Sequence, residues 1–173
     1  MSSILKVDTI QDSGGNQILT SNGSGVITGN LSARPAFEVN IQSQTIAIAN
    51  NTDTKVIMTN EVLDTDSAYD TSTGRFTPQV SGKYFCYARI SFDSTSDFDN
   101  IVCNIKKNGT IFSQSYGRNF FYNTLSAYGV ASFNGSSDYL ELFCIQVSGG
   151  SLNLLDSGNG GTTAFGAYKL PGV

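Results

Sequence analysis

Over most of its length the chain alternates apolar and polar residues with a period of two, in short runs broken by clusters of Gly, Asn, Asp and Ser. Successive side chains of a β-strand point to opposite faces, so each run predicts a strand with one dry and one wet face. Phe37, Val39 and Ile41 interleave with Glu38, Asn40 and Gln42 in this way. Ile46 with Ile48, and Val56 with Met58, predict further short strands ahead of an acidic, turn-rich loop over residues 60–73. In the longest run Tyr84, Cys86, Ala88, Ile90 and Phe92 share one face, while Phe85, Tyr87, Arg89 and Ser91 share the other. Aromatic residues on both sides predict that one face meets the core and the other a neighbouring subunit.

Further along, Ile101, Cys103 and Ile105 lead into Asn108-Gly109 and out through Ile111 and Phe112. This is a hairpin signal, because a type I′ turn needs positive φ at both central positions. Leu125, Ala127, Gly129, Ala131 and Phe133 alternate up to Asn134-Gly135, after which Leu140, Leu142 and Cys144 oppose Tyr139, Glu141, Phe143 and Ile145. A second hairpin is predicted there. The chain closes with residues 152–155, a glycine-rich loop over 157–161 and a strand over 163–170. No helical period lasts beyond a turn or two and no repeat is evident, so the pattern predicts an all-β sandwich or barrel.

Residues 1–34 are built differently. Ile4-Leu5-Lys6-Val7-Asp8-Thr9-Ile10 is apolar-rich, and Ser13-Gly14-Gly15-Asn16, Ser21-Asn22-Gly23-Ser24-Gly25 and Thr28-Gly29-Asn30 follow it. So little apolar surface does not offset the entropy of ordering the chain. The segment is expected to be an extended arm ordered by a partner or by sister chains, gripping through Ile4, Leu5, Val7 and Ile10. Arg34-Pro35 marks its end, because the residue before proline is pushed away from helical geometry. The expected organisation is an arm over 1–34 and a β head over 35–173.

Composition agrees with sheet: 11 Phe, 8 Tyr, 18 Gly and 14% charged residues in a chain of 173. A body of roughly 140 residues buries about two thirds of its unfolded surface, enough for a sizeable core. The net charge is −4 and the ten Lys and Arg are scattered, with only Lys106 and Lys107 adjacent. That argues against a nucleic-acid partner, which needs a basic stripe. No run approaches the roughly 18 apolar residues of a membrane span, and the start lacks the apolar centre of a secretory signal. The expectation is a chain made in the cytoplasm, with no membrane insertion.

With no histidine, Ser-His-Asp and Cys-His catalysis and histidine-ligated zinc are unavailable from this chain alone. Cys86, Cys103 and Cys144 fall in alternating apolar runs and read as reduced core thiols rather than nucleophiles. Asp64, Asp66, Asp70 and Glu141 offer no carboxylate pair that spacing singles out. An enzyme is not expected, nor a cofactor, with one exception to weigh. Asp93, Asp97, Asp99 and Asn100 form the densest acidic cluster, where oxygen ligands suit calcium, although the spacing does not match an EF-hand and a solvated loop is the alternative. A second cluster, Tyr116, Arg118, Phe120, Phe121 and Tyr122, joins aromatic planes to a guanidinium. It suits either receptor contact, to a sugar or a protein, or packing between subunits.

The spacing of Asp64, Tyr69, Phe76, Gly82 and Tyr84 resembles the signature of the globular head of complement's first component, subcomponent q, a ten-strand jelly roll shared with tumour necrosis factor. Lys107-Asn108-Gly109 is similar to that family's hairpin tip, and 163–170, with Phe165 at its centre, to its closing strand. Met58 and Cys86 stand where phenylalanine is usual, Ala88 where an aromatic is usual, and Ala167 where glycine is usual. The resemblance implies a compact homotrimer of jelly-roll subunits. Closed cyclic assembly would bury edge strands and an aromatic second face. Complement heads follow collagen, and no Gly-X-Y run exists here. Instead Ile4-Leu5-Lys6-Val7-Asp8-Thr9-Ile10-Gln11, followed by Gly14-Gly15, is similar to the start of many bacteriophage fibre and tail-appendage proteins.

Together these resemblances lead to a bacteriophage structural protein located in the virion: a short trimeric fibre or appendage. Its arm would dock on another virion protein, and its head would attach to a host-surface glycan or protein or decorate the particle. Three heads on one anchor sum weak contacts. The alternatives are a capsid or tail stabilising protein with no receptor role, and a secreted or bacterial ligand-like binding module.

Overall fold

A computed structural model of the chain describes residues 7–24, 27–29, 35–92, 98–120, 124–155 and 163–171. Every regular element described is a strand. They are β1 (Thr9–Gln11), β2 (Gln17–Ser21), β3 (Ile27–Gly29), β4 (Ala36–Asn40), β5 (Ala47–Ile48), β6 (Thr54–Lys55), β7 (Asn60–Asp64), β8 (Tyr69–Asp70) and β9 (Arg75–Phe76). There follow β10 (Gly82–Ser91), β11 (Phe98–Lys107), β12 (Thr110–Phe120), β13 (Thr124–Phe133), β14 (Leu140–Val147), β15 (Leu152–Asn153) and β16 (Ala164–Lys169). The chain divides into two units, Met1–Arg34 and Pro35–Val173.

In the first unit β1, β2 and β3 pair in sequence order into an antiparallel sheet. Asp12 closes the first turn: its Oδ1 accepts from the Gly14 amide at 2.8 Å and the Asn16 amide at 2.9 Å, and its Oδ2 accepts from Asn16 Nδ2 at 2.9 Å. The Asn16 bonds favour the ionised carboxylate and hold the Asp12 pKa below its usual range. Backbone pairing holds this sheet, while Val7, Ile10 and Ile18 stay exposed at 47%, 43% and 43%. The arm is thus extended structure folded on itself.

The second unit is a sandwich of two antiparallel sheets, β13-β10-β16-β4-β7 and β12-β11-β14-β9-β8, with β6 added beside β14 and a small β15-β5 pair. Five strands on each main path give the ten-strand jelly roll, in which sequence neighbours such as β13 and β14 lie in different sheets. The inner faces meet around Phe37, whose ring stacks on Phe76 at 4.1 Å and Tyr69 at 5.3 Å and meets Phe165 edge-on at 5.1 Å. Tyr84 continues the chain of rings, 6.1 Å from Phe76 and 5.1 Å from Phe133. Burying each such side chain is worth on the order of 1.5–3 kcal/mol, and paired aromatic geometry adds about 0.5–1.5 kcal/mol.

The alternation in the long strand is realised as expected: Tyr84, Cys86, Ala88, Ile90 and Phe92 are at most 2% exposed. Asn108 and Gly109 take φ of 51° and 78°, closing β11 onto β12. Two expectations fail. The stretch 60–73 contains β7 and β8; β7 is the edge strand beside β4, has three successive exposed residues and so carries no alternation. The hairpin expected at Asn134-Gly135 is instead a crossover between sheets, since β13 pairs with β10 and β14 with β11. There the Asn134 Oδ1 accepts from the amides of Ser136, Ser137 and Asp138 at 3.0, 3.0 and 3.1 Å, a side-chain turn that redirects the chain.

Candidate binding and assembly surface

Cross-strand partners share a face of a sheet, so the register defines what each sheet shows outward. On the first sheet Tyr87 pairs with Tyr128 and Gly166, Phe85 with Val130 and Tyr168, and Glu38 with Gly166 and Leu63. The Phe85 ring lies 6.2 Å from Tyr87, 6.4 Å from Tyr128 and 5.4 Å from Tyr168, a continuous aromatic shelf. Tyr87 lies over Gly166 and donates its hydroxyl to Glu38 Oε2 at 2.5 Å. Only glycine fits beneath it: a Cβ at 166 would overlap the Tyr87 hydroxyl and sit 2.7 Å from the Phe37 carbonyl oxygen. Burial, then the Glu38 carboxylate, push the Tyr87 pKa up, so the phenol stays a donor. Beside it runs an open groove of about 460 Å³ lined by Glu38, Asn40, Val62, Tyr87, Arg89 and Tyr128.

Seven large apolar side chains are exposed among the described residues of the second unit. Five belong to this face: Val62 at 54%, Leu63 at 47%, Tyr128 at 68%, Val130 at 50% and Tyr168 at 46%. The other two, Ile111 and Tyr116, stand on the edge strand β12.

The outer face of the second sheet is different in kind. Glu141 accepts from Lys55 at 2.6 Å and Arg75 at 3.0 Å, Arg75 lies 3.7 Å over the Tyr139 ring, and Lys106 lies 3.6 Å over Phe143 while pairing with Asp53 at 2.5 Å. Gln114 Nε2 donates to Asn104 Oδ1 at 2.8 Å. Burial alone would raise the Glu141 pKa, but Lys55 and Arg75 outweigh it and hold the carboxyl below its usual range. Here the polar groups satisfy one another and the rings are capped by cations.

The predicted site residues fall into separate places. Tyr116 and Arg118 form a pair on β12, the guanidinium 5.3 Å over the ring and its Nε donating to the Tyr116 hydroxyl. Phe121 and Tyr122 lie outside the described residues, as does the side chain of Phe120. Of the four residues expected to grip a partner, Ile4 and Leu5 lie outside them, and Val7 and Ile10 are exposed. Asp93 and Asp97 also lie outside; Asp99 is exposed, and Asn100 Oδ1 is enclosed without a hydrogen-bond partner. Among the described residues no three acidic or cysteine side chains are placed to hold a metal.

Of the signature residues Tyr69, Phe76, Tyr84 and Phe165 are buried, and Asp64 and Gly82 are half-buried. Asp64 Oδ2 accepts from the Tyr69 amide at 2.8 Å, the Tyr69 hydroxyl donates to the Met58 carbonyl at 3.1 Å, and the Tyr84 hydroxyl donates to the Val80 carbonyl at 2.7 Å. Gly82, at φ 147°, lets Lys169 pass: a Cβ there would lie 2.6 Å from the lysine Cε. Sequence reasoning anticipated Phe85, Tyr87 and Arg89 on an outward face but missed Val62, Leu63, Tyr128, Val130 and Tyr168. Their signal was present for Tyr128 and Val130, which occupy the alternate positions of a run whose other members are core.

No protein-family model matches the chain, and no curated protein matches it. Solved structures do match, and they show the fold: the head is a jelly roll of the kind shared by tumour necrosis factor-like proteins and complement heads. Murine APRIL at pH 8.5 superposes with a TM-score of 0.56 at 16% identity, over 79% of this chain and 99% of that one. Eiger TNF from S. frugiperda gives 0.58 at 15% identity, over 81% and 94%. The globular domain of zebrafish complement 1qA protein gives 0.51 at 16% identity, over 79% and 97%.

Proposed function

We propose that the chain is a non-catalytic binding protein that assembles as a homotrimer through the outer face of the first sheet and serves as a short bacteriophage appendage. The observation that carries the reading is that shelf of Phe85, Tyr87, Tyr128 and Tyr168, flanked by Val130 and Leu63, which no cation caps among the described residues of the second unit. A closed ring uses a heterologous interface, in which one patch meets a different patch of the next copy. The aromatic face and the β12 edge, with Ile111, Tyr116 and Arg118, supply two such patches. An interface of ordinary size, about 800 Å² per partner, would cover both.

Residues 1–34 are the fastening to another virion protein. The likeness of the start of the chain to phage fibre proteins supports this, as does the exposure of Val7 and Ile10. The head then faces outward for multivalent attachment to a host-surface glycan or protein. Sedimentation of the purified full chain at micromolar concentration tests the assembly: a trimer is expected, and a stable monomer would overturn it. Antibody labelling of phage particles and binding of the trimer to host cells test the role. Labelled virions with host binding support an adhesin, labelled virions without it leave a decoration protein, and unlabelled virions remove the phage assignment.

A further inference from the structure

Cys103 and Cys144 stand directly opposite each other in the β11–β14 register. Both are reduced, both point into the core, and both are 0% exposed. Opposed Cα atoms of an antiparallel pair lie about 4.5 Å apart at non-hydrogen-bonded positions and about 5.5 Å apart at hydrogen-bonded ones. Disulfides span Cα separations of about 4.4–6.8 Å, so either arrangement allows closure without parting the strands. Cys86 differs. It lies on β10 in the other sheet with Gly129 and Ala167 as its cross-strand partners, and its Sγ donates to the Tyr84 carbonyl at 3.5 Å.

We propose that Cys103 and Cys144 are an oxidative modification site: a latent cross-strand disulfide that closes when a small-molecule disulfide reaches the β11–β14 pair during folding or transient opening. One protein thiolate attacks the oxidant's S–S bond, forming a mixed disulfide and releasing one small thiolate. The second protein thiolate then attacks the protein sulfur of that mixed disulfide, forming the Cys103–Cys144 bond and releasing the other. The two protons lost by the protein are taken up by the two released thiolates. The oxidant gains two electrons and the protein loses two hydrogens.

Access sets the timing. Burial pushes the Cys103 thiol up to about 12 and the Cys144 thiol higher still, so the closed sandwich holds almost no thiolate. Reaction therefore waits for the sheet to open, and the bond, once made, ties two central strands of the second sheet together.

The test is to refold the full chain in a mixture of reduced and oxidised glutathione, alkylate the remaining thiols, and map the peptides by mass. Free thiols should fall from three to one, with the mass of two hydrogens lost and a peptide joining Cys103 to Cys144. Already folded protein in the same buffer should convert much more slowly. Three alkylated thiols in the refolded chain, or a bond that includes Cys86, would overturn the site, and equal rates for folded and refolding protein would overturn its gating. Cys86→Ala should refold to a product with no free thiol, and retention of both would count against the proposal. If that variant does not fold, the wild-type peptide map decides alone.

Discussion

The two sheets of the head carry the same alternation of inward apolar residues, yet they finish their outer faces in opposite ways. On the second sheet Glu141 lies between Lys55 and Arg75, Tyr139 under Arg75 and Phe143 under Lys106, so these outward groups are completed by neighbours. On the first sheet Tyr87 and Glu38 satisfy each other, and the rings around them are left open, with Tyr128 at 68% exposure. The difference teaches that the presence of aromatic residues on an outer face does not distinguish a solvent face from an interface. The two faces differ in whether neighbouring cations cap those rings.

The contrast is broken most directly by charging the open face. Replacing Tyr128 by Arg together with Val130 by Glu alters two exposed side chains and leaves the core intact. Sedimentation should then show monomers, with association weakened by at least about 4 kcal/mol, roughly a thousandfold in dissociation constant. A trimer surviving both changes would place the interface elsewhere.

Gly166→Ala attacks the same face from beneath, because the added methyl collides with Tyr87 and the strand β4 backbone. Urea unfolding should show a loss of about 2–3 kcal/mol, since overpacking at a site bounded by backbone cannot relax cheaply. A midpoint within error of wild type would mean that Tyr87 moves aside freely.

On the capped face the expected effect is smaller and purely intramolecular. Glu141→Gln removes the charge that Lys55 and Arg75 share, and should lower stability by about 1–2 kcal/mol without changing the sedimentation coefficient. A change in oligomeric state would show that this face, too, takes part in assembly.

The smallest effect is on acid stability. The Glu141 pKa is depressed in the fold by its two cations, overcoming burial, and Asp70 is held from the usual 3.8 to about 2 by hydrogen bonds from Ser72 and Thr73. A carboxylate with a depressed folded pKa contributes stability above its unfolded pKa and loses it as pH falls through the folded value. Melting temperature should therefore decline from about pH 4 towards pH 2. Glu141→Gln should flatten that decline, and an unchanged slope would assign the acid sensitivity to Asp70 and its neighbours.

Much of the head was legible from the chain alone where a strand is buried on one side. Phe37, Val39 and Ile41, and the run from Tyr84 to Phe92, declare their faces because burial enforces a period of two. Edge strand β7 was not legible, because exposure on both sides relaxes that demand. The Asn134-Gly135 turn misled for a related reason: a turn residue reports that the chain bends, not which strand receives it. The candidate surface was half visible. Phe85 and Tyr87 flagged it, but its extent needed strands β13, β16 and β7, which are distant in sequence.

The sequence by itself determined the all-β class, the hairpin at Asn108-Gly109 and the inward set of the long strands. These depend on local periodicity and on φ preferences, which adjacent residues fix. Only the tertiary structure decided which strands became neighbours, and hence that Tyr87 would cross Gly166 to Glu38, that Cys103 would face Cys144, and that one sheet would be capped by ion pairs. Those outcomes depend on register between segments far apart in the chain, and local pattern carries no information about it.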